Sequence, residues 1–228
     1  MPFTLEHVVP WGRSLEEYRR MFALSQADLQ KQILGCGDGP ASFNYELNRR
    51  GGHVISIDPI YQFTGEEIRS RIEATRNIII QEAKKNHHEF VWDMIPSVEA
   101  LEKMRIRAMT HFLSDFPIGL AEGRYVPASL PHLPFHSEQF DLALSSHFLF
   151  LYSEHFSYDL HLRSIQEMAR VATEIRIFPL LELGSLKSRY LDRIISDLTR
   201  YGFECEIQKV DYEFQKGGNE LLRIVNVQ

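Results

Sequence analysis

Short apolar runs alternate along this chain with longer stretches in which apolar side chains return at helical spacing. The first such stretch opens at Ser14-Leu15-Glu16-Glu17, a capping box in which a serine and a glutamate three residues on satisfy each other's backbone amides. It predicts a helix with Leu15, Tyr18, Phe22 and Leu29 near one face, placed to fold over the mouth of a ligand crevice. Residues 31–34 begin a core strand that runs into Gly35-Cys36-Gly37-Asp38-Gly39. Pro40 suits the first turn of the next helix, which reaches about Arg50 and stops on Gly51-Gly52. A second strand covers 53–57 and closes on Asp58.

Thr64-Gly65-Glu66-Glu67 is a second capping box, and Ile68, Ile72 and Ile79 continue its helix. From there to Gly123 the pattern holds no strand, so two or three helices are expected, with the aromatic and Met-rich run 90–116 as core. Further strands are predicted at 124–128, 140–145 and 174–181. A helix around 159–172 turns Leu162, Ile165, Met168, Ala169 and Ala172 inward, and Ser185 caps another that carries Leu191, Ile194, Ile195 and Leu198 and ends at Gly202. The chain finishes as a hairpin of 203–214 and 220–227, joined through Lys216-Gly217-Gly218-Asn219.

A strand, a glycine turn, a helix and a strand ending on an acid form half of a nucleotide-binding unit. Glycines at 35, 37 and 39 let the backbone approach a ligand, and Asp58, about twenty residues on, suits the hydroxyls of a ribose. The dinucleotide fingerprint would need glycine where Pro40 stands. With 228 residues, 44% hydrophobic and 25% charged, the chain suits one well-buried α/β domain spanning 1–228. Within it, 1–30 is an N-terminal helical segment. A net charge of -6 argues against a nucleic acid partner. No run is long enough for a membrane span, and the polar start lacks a signal peptide's apolar core. Two cysteines make no disulfide framework, so the cytoplasm is the expected compartment.

The segment GCGDGP resembles motif I of the class I S-adenosylmethionine-dependent methyltransferases. VISIDPIY, at 54–61, resembles their ribose-binding strand, and 130–150 resembles their adenine-side loop and fourth strand. The resemblance implies a Rossmann-like, doubly wound seven-stranded sheet, mostly parallel, closed by an antiparallel C-terminal hairpin. The stretch 64–123 is then a helical insertion between the second and third strands, serving as a lid or only as core. S-adenosylmethionine is the implied cofactor and a small molecule the implied methyl acceptor. Backbone groups of Gly35, Gly37 and Gly39 would meet the cofactor and Asp58 its ribose, with Pro59 and Ile60 beside the adenine, Ser129 and Leu130 on its other edge, and Ser145 past the fourth strand. Two positions depart from the pattern: Ile33 stands where an acid commonly supports the cofactor's amino group, and Ser129 where an Asp commonly faces the adenine.

His147 is the leading candidate for a base or an acceptor-orienting group, because imidazole titrates near neutrality; a hydrogen-bonded packing role is the alternative. Tyr152 is the second catalytic candidate, with Tyr61 and His155 behind it. Trp11, Arg13 and Tyr18 are placed to close over the cofactor's carboxylate. The pairs His87-His88, His132 with His136, and His155 with His161 match no metal-binding spacing, so no metal is expected. Two rivals are kept. A nicotinamide-dependent oxidoreductase would oxidise reduced nicotinamide, and a catalytically silent sensor would bind the cofactor without yielding methylated product.

Overall fold

The computed structural model describes residues 9–226. Residues 1–8 of the polar start, and Val227 of the last predicted strand, lie outside the described residues. Seven strands, β1 (Gln32–Cys36), β2 (His53–Ile57), β3 (Tyr125–Val126), β4 (Phe140–Ser146), β5 (Ala172–Phe178), β6 (Phe203–Lys209) and β7 (Glu220–Asn226), form one sheet in the order β3-β2-β1-β4-β5-β7-β6. The first five pair in parallel, and β7 runs antiparallel to both β5 and β6. This is the doubly wound sheet with a C-terminal hairpin that the resemblance implies. Its central strands read as unbroken apolar runs because both faces are covered. Ile33, Leu34, Leu142, Ala143 and Leu144 are all buried.

Among the described residues six α-helices flank the sheet: α1 (Leu15–Met21), α2 (Phe43–Asn48), α3 (Gly65–Lys85), α4 (Val98–Ala121), α5 (Tyr158–Val171) and α6 (Leu191–Arg200). One face packs Leu34, Ala143 and Ile175 against Ile165, Met168 and Ile194 from α5 and α6. The other packs Ile33, Leu142 and Leu144 against α1 and α2 through Tyr18, Met21, Phe43 and Leu47. Both predicted capping boxes form, at Ser14 with Glu17 and at Thr64 with Glu67. The helical insertion is α3 and α4, and Ile68, Ile72 and Ile79 face inward as expected. Chain order reverses between β1 and β4, so a crevice opens beyond the carboxyl ends of those strands.

Several elements differ from their predicted form. The first helix stops at Met21, and Leu29 belongs to a separate 3-10 turn, Asp28–Gln30. Pro40 precedes α2 rather than entering its first turn, because the loop after the glycines docks on the N-terminal segment. There the Ser42 amide donates to the Arg13 carbonyl at 3.0 Å. Ser185 caps nothing: it sits in left-handed backbone (φ 63°) within a turn that Glu182 and Leu186 close, and α6 begins only at Leu191. The last hairpin has a long connection, since residues 210–219 leave the sheet. Tyr212 is drawn in by Glu17, and the Phe214 ring stacks on Phe90 at 4.8 Å.

Candidate active site

The turn after β1 is built from glycines for steric reasons. Gly37 and Gly39 have φ of 71° and 53°, a region that side chains strain to enter. A Cβ on Gly37 would also lie 2.9 Å from the Phe148 ring. The Gly37 amide donates to the Ile57 carbonyl at 2.9 Å, so the turn is tied to the end of β2. Asp58 follows at that end. Its Oδ2 accepts from the Gly39 amide at 2.9 Å and its Oδ1 from the Ile60 amide at 2.8 Å. Each oxygen keeps a lone pair for a further donor. Burial pushes this carboxyl up to about 6 against the pull of the two amides.

Gly35 serves a purpose that spacing did not reveal. A Cβ there would sit 1.8 Å from Asp38 Oδ2, so glycine leaves room for a carboxylate folded back onto β1. Asp38 is buried, accepting from the Tyr18 hydroxyl at 2.7 Å and from the Ser56 hydroxyl at 2.6 Å. Ser56 stands opposite Gly35 in the β1–β2 register, which fixes where that carboxylate lies. Burial, with Asp58 adding to it, raises Asp38 to about 6 despite the two hydroxyl donors. Sequence reasoning missed this residue, because an aspartate among glycines ordinarily reads as a turn former.

A cavity of about 590 Å³ opens above the turn. Gly37, Gly39, Asp58, Pro59, Ile60, Ser129 and Leu130 all line its wall. His147 and Tyr152 line it too, as do Trp11, Arg13 and Tyr18. Gly35 and Ser145 are not at its surface. Strand alternation turns Ser145 away, leaving its buried hydroxyl without a partner among the described residues, and brings Ser146 to the cavity instead. Tyr61 packs among Phe112, Phe116 and Tyr125 and donates to the Gly39 carbonyl at 2.7 Å, so it braces the turn. His155 is exposed and outside the cavity wall.

His147 adopts φ of 51°, a left-handed conformation held by its amide donating to the Phe178 carbonyl at 2.7 Å. Its Nδ1 lies 3.1 Å from the Ser146 hydroxyl. Burial, then the nearby guanidiniums of Arg13 and Arg105, hold the imidazole well below its ordinary range, so it stays neutral and resists taking up a proton. The Tyr152 hydroxyl accepts from the Val9 amide at 3.4 Å, and burial raises its pKa, so it stays protonated.

Arg105 is the second group that pattern reading passed over. Its guanidinium is 1% exposed, and Nη1 donates to both Glu17 oxygens at 2.6 Å. Tyr212 donates to the same carboxylate at 3.1 Å. Burial alone would raise Glu17, but Arg105 and Arg13 overturn that and hold it below the usual carboxylate range. The signal was present in α4. Val98, Leu101, Ala108 and Phe112 form a stripe at helical spacing, and Arg105 stands on that buried face. Among the described residues no three His, Cys, Asp or Glu side chains gather as a metal site.

No protein-family model matches the chain. Among solved structures it is similar to a magnesium protoporphyrin IX methyltransferase from Synechocystis PCC 6803 with bound SAM (13% identity, 93% of this chain and 90% of that one, TM-score 0.45). It is also similar to a SAM-dependent methyltransferase from Aquifex aeolicus (14%, 92% and 87%, 0.44). A third likeness is to the 1,6-didemethyltoxoflavin-N1-methyltransferase of Burkholderia thailandensis (14%, 93% and 79%, 0.48). At such values the fold rests on the strand order itself. In sequence, the uncharacterized protein MJ0045 of Methanocaldococcus jannaschii is 34% identical over 223 residues, covering 96% of this chain and 97% of that protein. The chain therefore belongs to the same family as that archaeal protein.

Proposed function

We propose that this protein is a class I S-adenosylmethionine-dependent methyltransferase that acts on a small molecule. The observation that carries the reading is Asp58, held between the Gly39 and Ile60 amides at the crevice end of β2 with lone pairs to spare. The cofactor would supply an activated methyl group on a sulfonium. The site fits it. Asp58 receives the ribose hydroxyls, Gly37 and Gly39 let the backbone come close, and Ile60 and Leu130 flank the adenine. Residues 33 and 35 share one face of β1, so Asp38, folded onto Gly35, delivers to that face the negative charge that Ile33 lacks. It receives the cofactor's ammonium there, while Arg13 faces its carboxylate.

Methyl transfer is an in-line displacement, so the chain's main tasks are to align the acceptor and exclude water. Ile79 and Ala83 of α3 and Leu101 of α4 wall the outer cavity, and the two helices act as its lid. His147, held neutral, accepts a hydrogen bond from the acceptor and orients it for the displacement. The two thiols, both free, suit a reducing compartment, and we place the enzyme in the cytoplasm.

Calorimetry with S-adenosylhomocysteine tests the cofactor assignment. Asp58→Ala is expected to weaken binding by about 1–3 kcal/mol, since the ribose hydroxyls lose a charged acceptor. Unchanged affinity would remove the ribose contact. His147→Ala is expected to keep that affinity and slow turnover about ten-fold, as loss of one positioning hydrogen bond does. Full activity in this variant would make the histidine a packing residue.

A further inference from the structure

With the cofactor in place, the charges of the cavity cancel. The guanidiniums of Arg13, Arg71 and Arg105 and the carboxylates of Asp38, Asp58 and Glu89 line it, and Glu17 is joined to Arg105 at 2.6 Å. Asp38 and Asp58, both raised to about 6, are still ionised at neutral pH, and His147 is neutral. Four negative charges against three positive leave one in surplus. The cofactor, with an ammonium, a carboxylate and a sulfonium, brings one net positive charge. A second ligand that carried a charge would therefore be buried without a partner, which is costly.

The wall that the cofactor leaves free is largely apolar. Ile79, Phe90, Leu101, Phe156, Leu183 and Phe214 line it. Two neutral polar groups interrupt this surface. His147 has its Nδ1 at 3.1 Å from the Ser146 hydroxyl, which leaves Nε2 for a ligand. The Tyr152 hydroxyl accepts from the Val9 amide, and among the described residues its own proton has no acceptor. Resting on the methyltransferase reading above, we infer that the methyl acceptor is an uncharged, largely apolar ring compound with a single hydroxyl, which accepts from Tyr152 and donates to His147. Aromatic walls favour a ring, and a buried hydroxyl needs both its donor and its acceptor capacity met.

The test is calorimetric titration into the full-length protein saturated with sinefungin, an unreactive analogue whose added ammonium keeps a positive charge where the sulfonium stands. The probes are 2-naphthol, 2-naphthoate and 2-naphthylmethylammonium, which share a ring system and are neutral, negative and positive. Naphthol is expected to bind at least about ten-fold tighter than either ion, because an ion must shed its hydration with no partner waiting. Tyr152→Phe is expected to weaken naphthol about five-fold, the scale of one hydrogen bond, and to leave sinefungin binding unchanged. The wild-type comparison stands without any variant: an ion that binds as tightly as naphthol, or naphthol that does not bind, overturns the inference. Unchanged naphthol affinity in Tyr152→Phe, with near-ultraviolet circular dichroism showing the native fold, overturns the placement of the hydroxyl. A protein that takes up neither sinefungin nor S-adenosylhomocysteine fails the methyltransferase reading instead, and naphthol against naphthoate without cofactor then decides whether the chamber selects an uncharged ring.

Discussion

Arg105→Ala is expected to lower the unfolding free energy by about 3–5 kcal/mol, measured by urea denaturation at pH 7. The size follows from what remains. Glu17 would be left buried with its charge facing the Tyr212 hydroxyl and a half-buried Arg13, having lost two contacts at 2.6 Å. The pair joins three distant parts of the chain, namely α1, α4 and the loop before β7, so the loss spreads to the roof of the cavity. Arg105→Met combined with Glu17→Gln is expected to recover much of the loss, because no charge is then stranded. A loss under about 1 kcal/mol in the single variant would mean that Arg13 takes over as the partner of Glu17. The pair also has a pH signature. Glu17 is held below its ordinary value of 4.5, so its contribution is present at neutral pH and is lost as acid protonates it.

Asp38→Asn is expected to weaken S-adenosylhomocysteine binding about ten-fold or more while making the unliganded protein more stable above pH 6. The sign of the second effect comes from proton binding. The Asp38 carboxyl moves from an ordinary 3.8 to about 6 on folding, chiefly because it is buried, so the folded chain holds that proton more tightly. It lends stability below pH 3.8 and loses it as pH rises through about 6. At neutral pH the ionised group therefore strains the empty site, and an amide removes the strain while still accepting from Tyr18. A ligand ammonium would reverse the balance, which is the trade expected of a binding group. The control is 5′-methylthioadenosine, which lacks the amino-acid end: its affinity should not change in the variant. Equal losses for both ligands would show that Asp38 only braces the turn. Melting curves at pH 5 and pH 8 read the stability difference.

The frame of the fold was legible because its signals are local. Both capping boxes, the positive-φ glycines and the buried apolar strands each depend on neighbours a few positions away, and β2 was placed at 53–57, where it stands. Asp58 was legible for the same reason, since a strand ending beside a glycine turn has few places to put an acid. Ser145 was misplaced by one position, and a one-residue shift on a strand exchanges the two faces of the sheet. The hairpin's first strand was drawn too long and its connection too short, because Gly217-Gly218 looked like its turn. The segment 210–214 instead leaves the sheet to reach Glu17 and Phe90.

By itself the sequence determined the alternation of strands and helices, the glycine turn and the acid that faces it, since backbone sterics and apolar periodicity act over single turns of chain. Only the tertiary structure decided which charges the cavity holds. Arg105 meets a carboxylate 88 positions away and Tyr212 reaches the same one across 195, and no local pattern records such separations. Burial and charge depend on who stands nearby in space, and so the chemistry of Asp38, His147 and the guanidinium pair appears only once the chain has closed around them.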